Sequence, residues 1–415
     1  LTSVTFDQLG LAEPILAALR EENYVTPTPI QARAIPVVMQ GRDILGIAQT
    51  GTGKTAAFSL PILNHLAANK VPLTPKSMRV LILAPTRELA IQIGDAFKIY
   101  GRHLRLRQAV ILGGVGQGQQ INAMAHGVDV LIATPGRLMD LCQQGYVKLD
   151  KVEIMVLDEA DRMLDMGFIQ PVRKIVSKVP KNRRTLFFSA TMPREVEHLA
   201  AEILNDPVRI EITPTSTTVE RIEQKVFHVE QNLKGALLVE MMKDDSFKRV
   251  IVFSRTKHGA NRIVQILERA EVPSSAIHGN KSQSARQQAL DGFRSGRLRV
   301  LVATDIASRG IDVDGITHVI NYELPEVPES YVHRIGRTAR AGASGKAYSF
   351  CAGAERGLLR DIERTTRQQI AVLQTGPLTA LPPVKTVREP DHDPRRNNNP
   401  QRSSRPPMRQ RRRAA

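Results

Sequence analysis

The chain has 415 residues, 42% of them apolar and 24% charged, enough apolar side chain for the cores of two soluble domains. No apolar run approaches the roughly 20 residues of a spanning helix, the opening LTSVTFDQLG lacks the charged and apolar regions of a signal peptide, and the cysteines Cys142 and Cys351 lie far apart. A cytoplasmic protein with neither a disulfide framework nor a cysteine metal site is expected. Net charge is +17, of which eight arginines, unaccompanied by any acid, lie between Pro394 and the C-terminus. The remaining +9 favours a polyanionic partner, because each phosphate neutralised by Lys or Arg releases condensed counterions.

In chain order, six short β-branched runs alternate with helical stretches: DILGIA (43–48), RVLILAP (79–85), AVILGG (109–114), VDVLIATP (128–135), EIMVLDEA (153–160) and RTLFFSAT (184–191). Continuous apolar runs of this kind predict parallel strands buried on both faces. A second series follows: QKVFHVE (224–230), RVIVFSR (249–255), SSAIHG (274–279), RVLVATD (299–305), THVINYE (317–323) and KAYSFCA (346–352). Two α/β domains are therefore predicted, over 1–212 and 220–375, joined by the polar, Pro-bearing linker 213–219. VLIATPGR (130–137) and VLVATDIASRG (300–310) echo each other just after a strand, a sign of duplication that places both loops toward a shared cleft. From 376 to 415 the Pro-, Arg- and Asn-rich composition predicts a disordered basic tail.

Three segments carry chemistry. Ala48-Gln49-Thr50-Gly51-Thr52-Gly53-Lys54-Thr55 follows a strand and opens a helix, the setting of a phosphate loop. Its glycines let backbone N–H groups wrap phosphates, Lys54 reaches the β/γ oxygens, and the Thr55 hydroxyl takes Mg²⁺. Asp158-Glu159-Ala160-Asp161 ends the run EIMVL; beside a phosphate loop, Asp158 is poised to hold Mg²⁺ through water and Glu159 to orient or deprotonate the attacking water. Such a cluster standing alone would more often cap a helix. His333-Arg334-Ile335-Gly336-Arg337-Thr338-Ala339-Arg340 brings three arginines to the second domain, where a finger reaching across the cleft would make hydrolysis depend on closure. By itself an Arg-rich turn is usually a solvated face or a static phosphate site.

These segments, with Tyr24-Val25-Thr26-Pro27-Thr28-Pro29-Ile30-Gln31, PTRELA (85–90), GG (113–114), TPGR (134–137), SAT (189–191) and ATDIASRGID (303–312), resemble the DEAD-box RNA helicase family in order and spacing over about residues 5–370. The stretch from VATDIASRGID to GLLRDIER is most similar to the bacterial RhlE-type branch. The resemblance implies two tandem RecA-like domains that use ATP and Mg²⁺ to remodel RNA, locally and without processivity, with ribosome assembly or RNA decay as settings. It implies that Gln31 reads the adenine edge, Tyr24 stacks on the base and Phe6 supports that pocket. Thr50, Gly51, Thr52, Gly53, Lys54 and Thr55 would hold the phosphates, and Asp312 the ribose. Asp158 and Glu159 would serve hydrolysis, and Arg337 and Arg340 the γ-phosphate. Ser189 and Thr191 would bond around Asp161, with His333 joining at the domain interface. Arg87, Gly114, Thr134, Arg137, Arg286 and Thr304 would contact RNA, mostly its phosphates and 2′-hydroxyls. Read without the resemblance, Gln31 is a solvated residue at a helix entry. Two positions depart from the family pattern: Asn23 and Ala339 stand where glycine is frequent. A DNA translocase on the same fold, and an RNA-annealing chaperone acting through the basic tail, are the competing expectations.

Overall fold

A computed structural model describes residues 4–49, 51–212, 222–308, 313, 315–339 and 345–382. It contains two seven-stranded sheets. The first is built from β1 (Ile44–Ile47), β2 (Met78–Leu83), β3 (Gln108–Ile111), β4 (Val128–Ala133), β5 (Ile154–Leu157), β6 (Arg184–Ser189) and β7 (Val208–Glu211), in the order β3-β4-β2-β5-β6-β1-β7. The second comprises β8 (Ile222–His228), β9 (Val250–Phe253), β10 (Ser274–Ile277), β11 (Val300–Ala303), β12 (His318–Asn321), β13 (Gly345–Cys351) and β14 (Ala371–Leu373), in the order β10-β11-β9-β12-β13-β8-β14. Every strand pairing is parallel.

The two orders match strand for strand, with β4 the counterpart of β11. The Ala133-Thr134 and Ala303-Thr304 echoes thus occupy equivalent strand ends, and the sign of duplication becomes a topological identity. Within each strand, alternate residues feed opposite cores. Val80 and Ile82 pack on one side of the first sheet, Leu81 and Leu83 on the other. Val250 and Val252 pack opposite Ile251 and Phe253 in the second.

β7 and β14 are edge strands absent from the predicted runs. Only Ile210 is buried in β7, and Val372 in β14 is 57% exposed, so neither needs the apolar run that marks an inner strand. Past Gly376 the chain stays on the second lobe as far as it is described. Leu378 packs against that core, and Leu381 and Pro382 line a groove with Gly235 and Tyr322. Among the described residues no helix is long and apolar enough to cross a membrane. Cys142 and Cys351 are free thiols in different lobes.

Parallel sheets present their loops at the carboxyl ends of the strands. In the first sheet the phosphate loop follows β1, SAT ends β6, and DEAD follows β5, three neighbouring strands. PTRELA, GG and TPGR follow β2, β3 and β4 on the other half. Strand order alone therefore separates a phosphate half from a second half on one rim.

Candidate active site

The phosphate loop turns through left-handed backbone at Gly51 (φ 82°) and Gly53 (φ 91°) before the helix Lys54–Ala68. Lys54 is buried, its Nζ donating to Ala48 O at 2.8 Å. Behind the loop, the helix Pro29–Met39 begins with proline at its first turn, and Thr28 N–H donates to Gln31 Oε1 at 2.9 Å. Gln31 Nε2 donates to Gly53 O at 3.1 Å and Thr28 Oγ1 to Thr52 O at 2.8 Å, fastening this segment to the loop. A Cβ on Gly53 would strike Gln31 Nε2. Gln31 is 6% exposed, so it is not the solvated helix-entry residue of the plainer reading. An amide has two N–H groups and two lone pairs, and these bonds use one of each.

Tyr24 ends a Schellman turn: Tyr24 N–H donates to Leu19 O and Asn23 N–H to Arg20 O, with Asn23 at φ 57°. The turn leaves the Tyr24 ring 45% exposed, its centroid 6.1 Å from that of Tyr100. Phe6 lies in the core, its N–H donating to Val25 O, so it supports the segment from beneath.

At the end of β5, Asp158, Glu159 and Asp161 are all buried. Burial pushes the Asp158 carboxyl up, Lys54 opposes the shift and Glu159 adds to it. Glu159 stands at φ 54° and pairs with Arg162 at 2.7 Å. Asp161 N–H donates to Ser189 Oγ at 3.2 Å, while Thr191 N–H and Oγ1 donate to Asp161 Oδ2 at 2.9 and 3.0 Å. The Ser189 and Thr191 hydroxyls thus surround Asp161. From the second lobe, His333 comes close enough to Arg162 and Asp161 for their charges to act on it. His333 is itself exposed, and partial loss of surrounding solvent, then Arg162 and Arg337, push its imidazole down, with Asp161 and Asp165 opposing them. Arg337 is buried, with Nε donating to His333 O at 3.2 Å. Thr50, Asp312 and Arg340 lie outside the described residues.

On the other half of the rim, the Arg87 guanidinium lies over Gly114 (φ 77°), where any Cβ would strike it. The space made by that missing Cβ, expected to admit a phosphate, is used by an arginine. Arg137 Nη1 donates to Val115 O at 3.2 Å, and Thr134 N–H donates to Ile111 O as the helix Pro135–Gln143 begins. Thr304 N–H donates to Ile277 O at the end of β11. Arg286 crosses from the second lobe to Glu88, with Nε 2.9 Å from Oε1 but its N–H not directed along that line. Gln283 Nε2 donates to the same carboxylate at 3.2 Å. Burial, then Arg286, depress the Arg87 guanidinium, and Arg137 adds to the effect. Four of these residues, Arg87, Gly114, Thr134 and Arg137, flank one rim of the first lobe, while Arg286 reaches it from the second lobe and Thr304 stands at a strand end of that second lobe.

Residues 28–199 match the DEAD/DEAH box helicase family model and residues 233–342 the helicase conserved C-terminal domain. The chain is 41% identical over 366 residues to the DEAD-box ATP-dependent RNA helicase CshA of Bacillus cereus, covering 88% of this chain and 69% of that protein. The chain belongs to the DEAD-box ATP-dependent RNA helicase family. It is also 43% identical over 373 residues to the ATP-dependent RNA helicase DBP2 of Eremothecium gossypii, covering 88% and 67%. Among solved structures it resembles S. cerevisiae Dbp5 bound to RNA and ADP BeF3, with a TM-score of 0.77, 31% identity and 89% and 95% coverage. It resembles the DEAD-box helicase Mss116 bound to ssRNA and UDP-BeF at 0.80, 29% identity and 90% and 81% coverage.

Three residues of this DEAD-box chain escape a sequence reading. Arg162 neutralises Glu159, Glu88 receives the second lobe, and Arg334, first of the three arginines, does not face the cleft. Arg334 is 1% exposed, forks onto both Asp305 oxygens at 2.6 and 2.7 Å, donates to Asn321 Oδ1 and Glu323 O, and lies over the Phe253 ring. Glu88 follows Arg87 in the first turn of the helix Arg87–Tyr100, where an acid reads as a partner for the helix dipole. Only the arrival of the second lobe gives it another role.

Proposed function

We propose that this helicase hydrolyses ATP at the rim where DEAD, SAT and His333-Arg337 meet, and that RNA lying along the Arg87–Gly114–Thr134–Arg137 half and Arg286–Thr304 drives the lobes together. The observation that carries this is the contact of Arg286 and Gln283 with Glu88 across the cleft, at 2.9 and 3.2 Å, which brings the lobe of the arginine segment against the lobe of the hydrolytic carboxylates. In this reading Glu159 orients the attacking water, and Arg337, with Arg340, meets the charge developing on the γ-phosphate. The remaining N–H and lone pair of Gln31 fit the adenine edge beside Tyr24. Clamping an RNA strand by its backbone, without reading bases, suits local and non-processive separation of short duplexes.

Asp158 and Thr55 would hold Mg²⁺. A buried carboxylate with its charged form disfavoured by burial fits an ion that keeps several waters and takes its other ligands from phosphates. Bound there, the ion supplies charge neutralisation at the β/γ oxygens.

The finer assignments rest on sequence: the RhlE-type branch on the segment from VATDIASRGID to GLLRDIER, the lobe limits 1–212 and 220–375 on composition, and cytoplasmic ribosome assembly or RNA decay on the family resemblance. The test is RNA-stimulated ATP hydrolysis by the full chain. Lys54→Ala and Glu159→Gln should each abolish turnover, with Glu159→Gln still binding ATP. Arg337→Ala should lower stimulated turnover by on the order of 10³-fold. RNA-stimulated turnover near the parent rate in Glu159→Gln would remove the assignment. Equal stimulation by DNA would favour the translocase reading. Undiminished annealing by Lys54→Ala, lost on removal of residues 383–415, would favour the chaperone.

A further inference from the structure

The helix Arg356–Thr366 covers one face of the second lobe, with Leu359 and Ile362 packed among Tyr331 and Ile335. Its outer face carries Arg356, Arg360 and Arg364 at four-residue spacing, and Arg367 stands just past its end; all four are exposed. Residues four apart share a face, so the first three form a stripe about 12 Å long. Arg364 has one solvent-exposed pairing, to Asp361 at 3.4 Å, and the other three arginines have no ion pair among the described residues. Glu363 is turned away, its Oε1 accepting from Ile370 N–H at 2.9 Å.

Helix stability does not account for this pattern. Like charges at i,i+4 cost roughly 0.2–0.5 kcal/mol each, and both Arg356–Arg360 and Arg360–Arg364 pay it. Arg356 sits in the first turn, where a cation opposes the helix dipole. A stripe assembled against local preference, with one exposed carboxylate set against four guanidiniums, is complementary to a polyanion.

We propose that this face is a second RNA-binding surface, which holds the backbone of an RNA segment outside the clamp. The proposal rests on the RNA reading of the clamp. Separateness follows from topology. The helix packs over β13 and β8, whereas Thr304 ends β11 and Arg286 follows β10. Three to five strand spacings, about 14–24 Å, intervene. The chain continues from the helix into edge strand β14, and in sequence the eight tail arginines follow that strand.

The test replaces Arg356, Arg360, Arg364 and Arg367 with Gln in the full chain. Binding is measured against a short single strand that only fills the clamp and against a long RNA with a flanking duplex, each over a salt series. For the long RNA, affinity should fall tenfold or more and the slope of log K against log salt should shrink by about 3, one phosphate per arginine. Affinity for the short strand and saturated ATP turnover should hold, and a matched four-Lys variant should retain the long-RNA slope. Unchanged long-RNA affinity and slope would overturn the proposal, as would capture of an acidic protein by the stripe with RNA binding intact. Equal losses for both RNAs would overturn the separateness of the surface. Absence of any RNA stimulation in the parent chain would instead sink the clamp reading.

Discussion

Asn23, Glu159 and Ala339 stand at φ 57°, 54° and 56°, in the left-handed region that costs a residue with a Cβ about 1–2 kcal/mol. Two of them are the positions where the sequence departs from the frequent glycine, so the departures fall where glycine has a conformational reason. Asn tolerates this region. Ala339 does so less well, but its methyl lies 9% exposed in the core with Tyr331 and Ile335. Replacing it by glycine would relieve the strain, lose about 0.8 kcal/mol of burial and free the unfolded chain by about 0.4–1 kcal/mol. These terms nearly cancel. Ala339→Gly should therefore change unfolding free energy in urea by less than about 1 kcal/mol, whereas Ala339→Val should lower it by more than about 2 kcal/mol. His318 makes a second residue-scale prediction. It stacks on Phe247 at 3.9 Å, and burial, then Lys346, push its imidazole down to about 4 against the opposing Asp244 and Glu223. A depressed histidine is neutral in the fold and takes a proton more readily when unfolded. Its contribution is complete above about pH 6.5 and is lost as pH falls toward 4, on the order of 2 kcal/mol after discounting for solvent screening. His318→Phe should flatten the stability profile across that window, and a profile as steep as the parent's would assign the acid sensitivity elsewhere.

At the scale of elements, the helix Pro328–Ile335 packs through Tyr331 and Ile335, and one buried arginine adds its charged ties. Arg334 ties it to Asp305, Asn321 and Glu323 O, linking the segment after β11 to the segment bearing Arg337. Breaking a buried pair from one side typically costs 3–5 kcal/mol, and lysine cannot reproduce a fork. Arg334→Lys should lower the stability of the second lobe by at least about 2 kcal/mol, read as faster amide exchange in β11 and β12; a parental exchange rate would exclude the tie. The same residue shows where sequence stopped being legible. HRIGRTAR announces three cations but not that the first points inward, because that depends on Asp305, nearly thirty residues earlier. The inner strands were legible because a parallel strand buried on both faces must be apolar throughout. β7 and β14 were not, since an edge strand can be held by backbone pairing while half its side chains meet solvent. The hydroxyls around Asp161 were legible through spacing and family resemblance. Gln31 was legible in type but not in its bonds to the phosphate loop, which require the two segments in register.

The whole molecule is two copies of one sheet order facing each other, and only side chains that cross the cleft can make one lobe sense the other. Glu88 is such a group, a carboxylate 2% exposed that meets both Arg286 and Gln283. It is also the acid nearest a set of cations, since Arg87 feels the charges of Arg286 and Arg137. Without RNA, closing the lobes brings those guanidiniums together, and Glu88 offsets the repulsion; with RNA, phosphates do the same more strongly. Glu88→Gln should then weaken closure chiefly when RNA is absent. Basal ATP turnover should fall at least several-fold, turnover at saturating RNA should stay within about threefold of the parent, and the ratio between them should rise. Arg286→Gln differs in sign at one point. It removes a cation from the set, so basal turnover should fall less, while the RNA concentration for half-maximal turnover should rise because a phosphate contact is gone. Measuring both constants for the two variants separates a closure contact from a nucleic-acid contact within one ion pair. Should Glu88→Gln raise basal turnover, the carboxylate holds the lobes in an arrangement that opposes hydrolysis, and the direction of the coupling assigned to it is reversed.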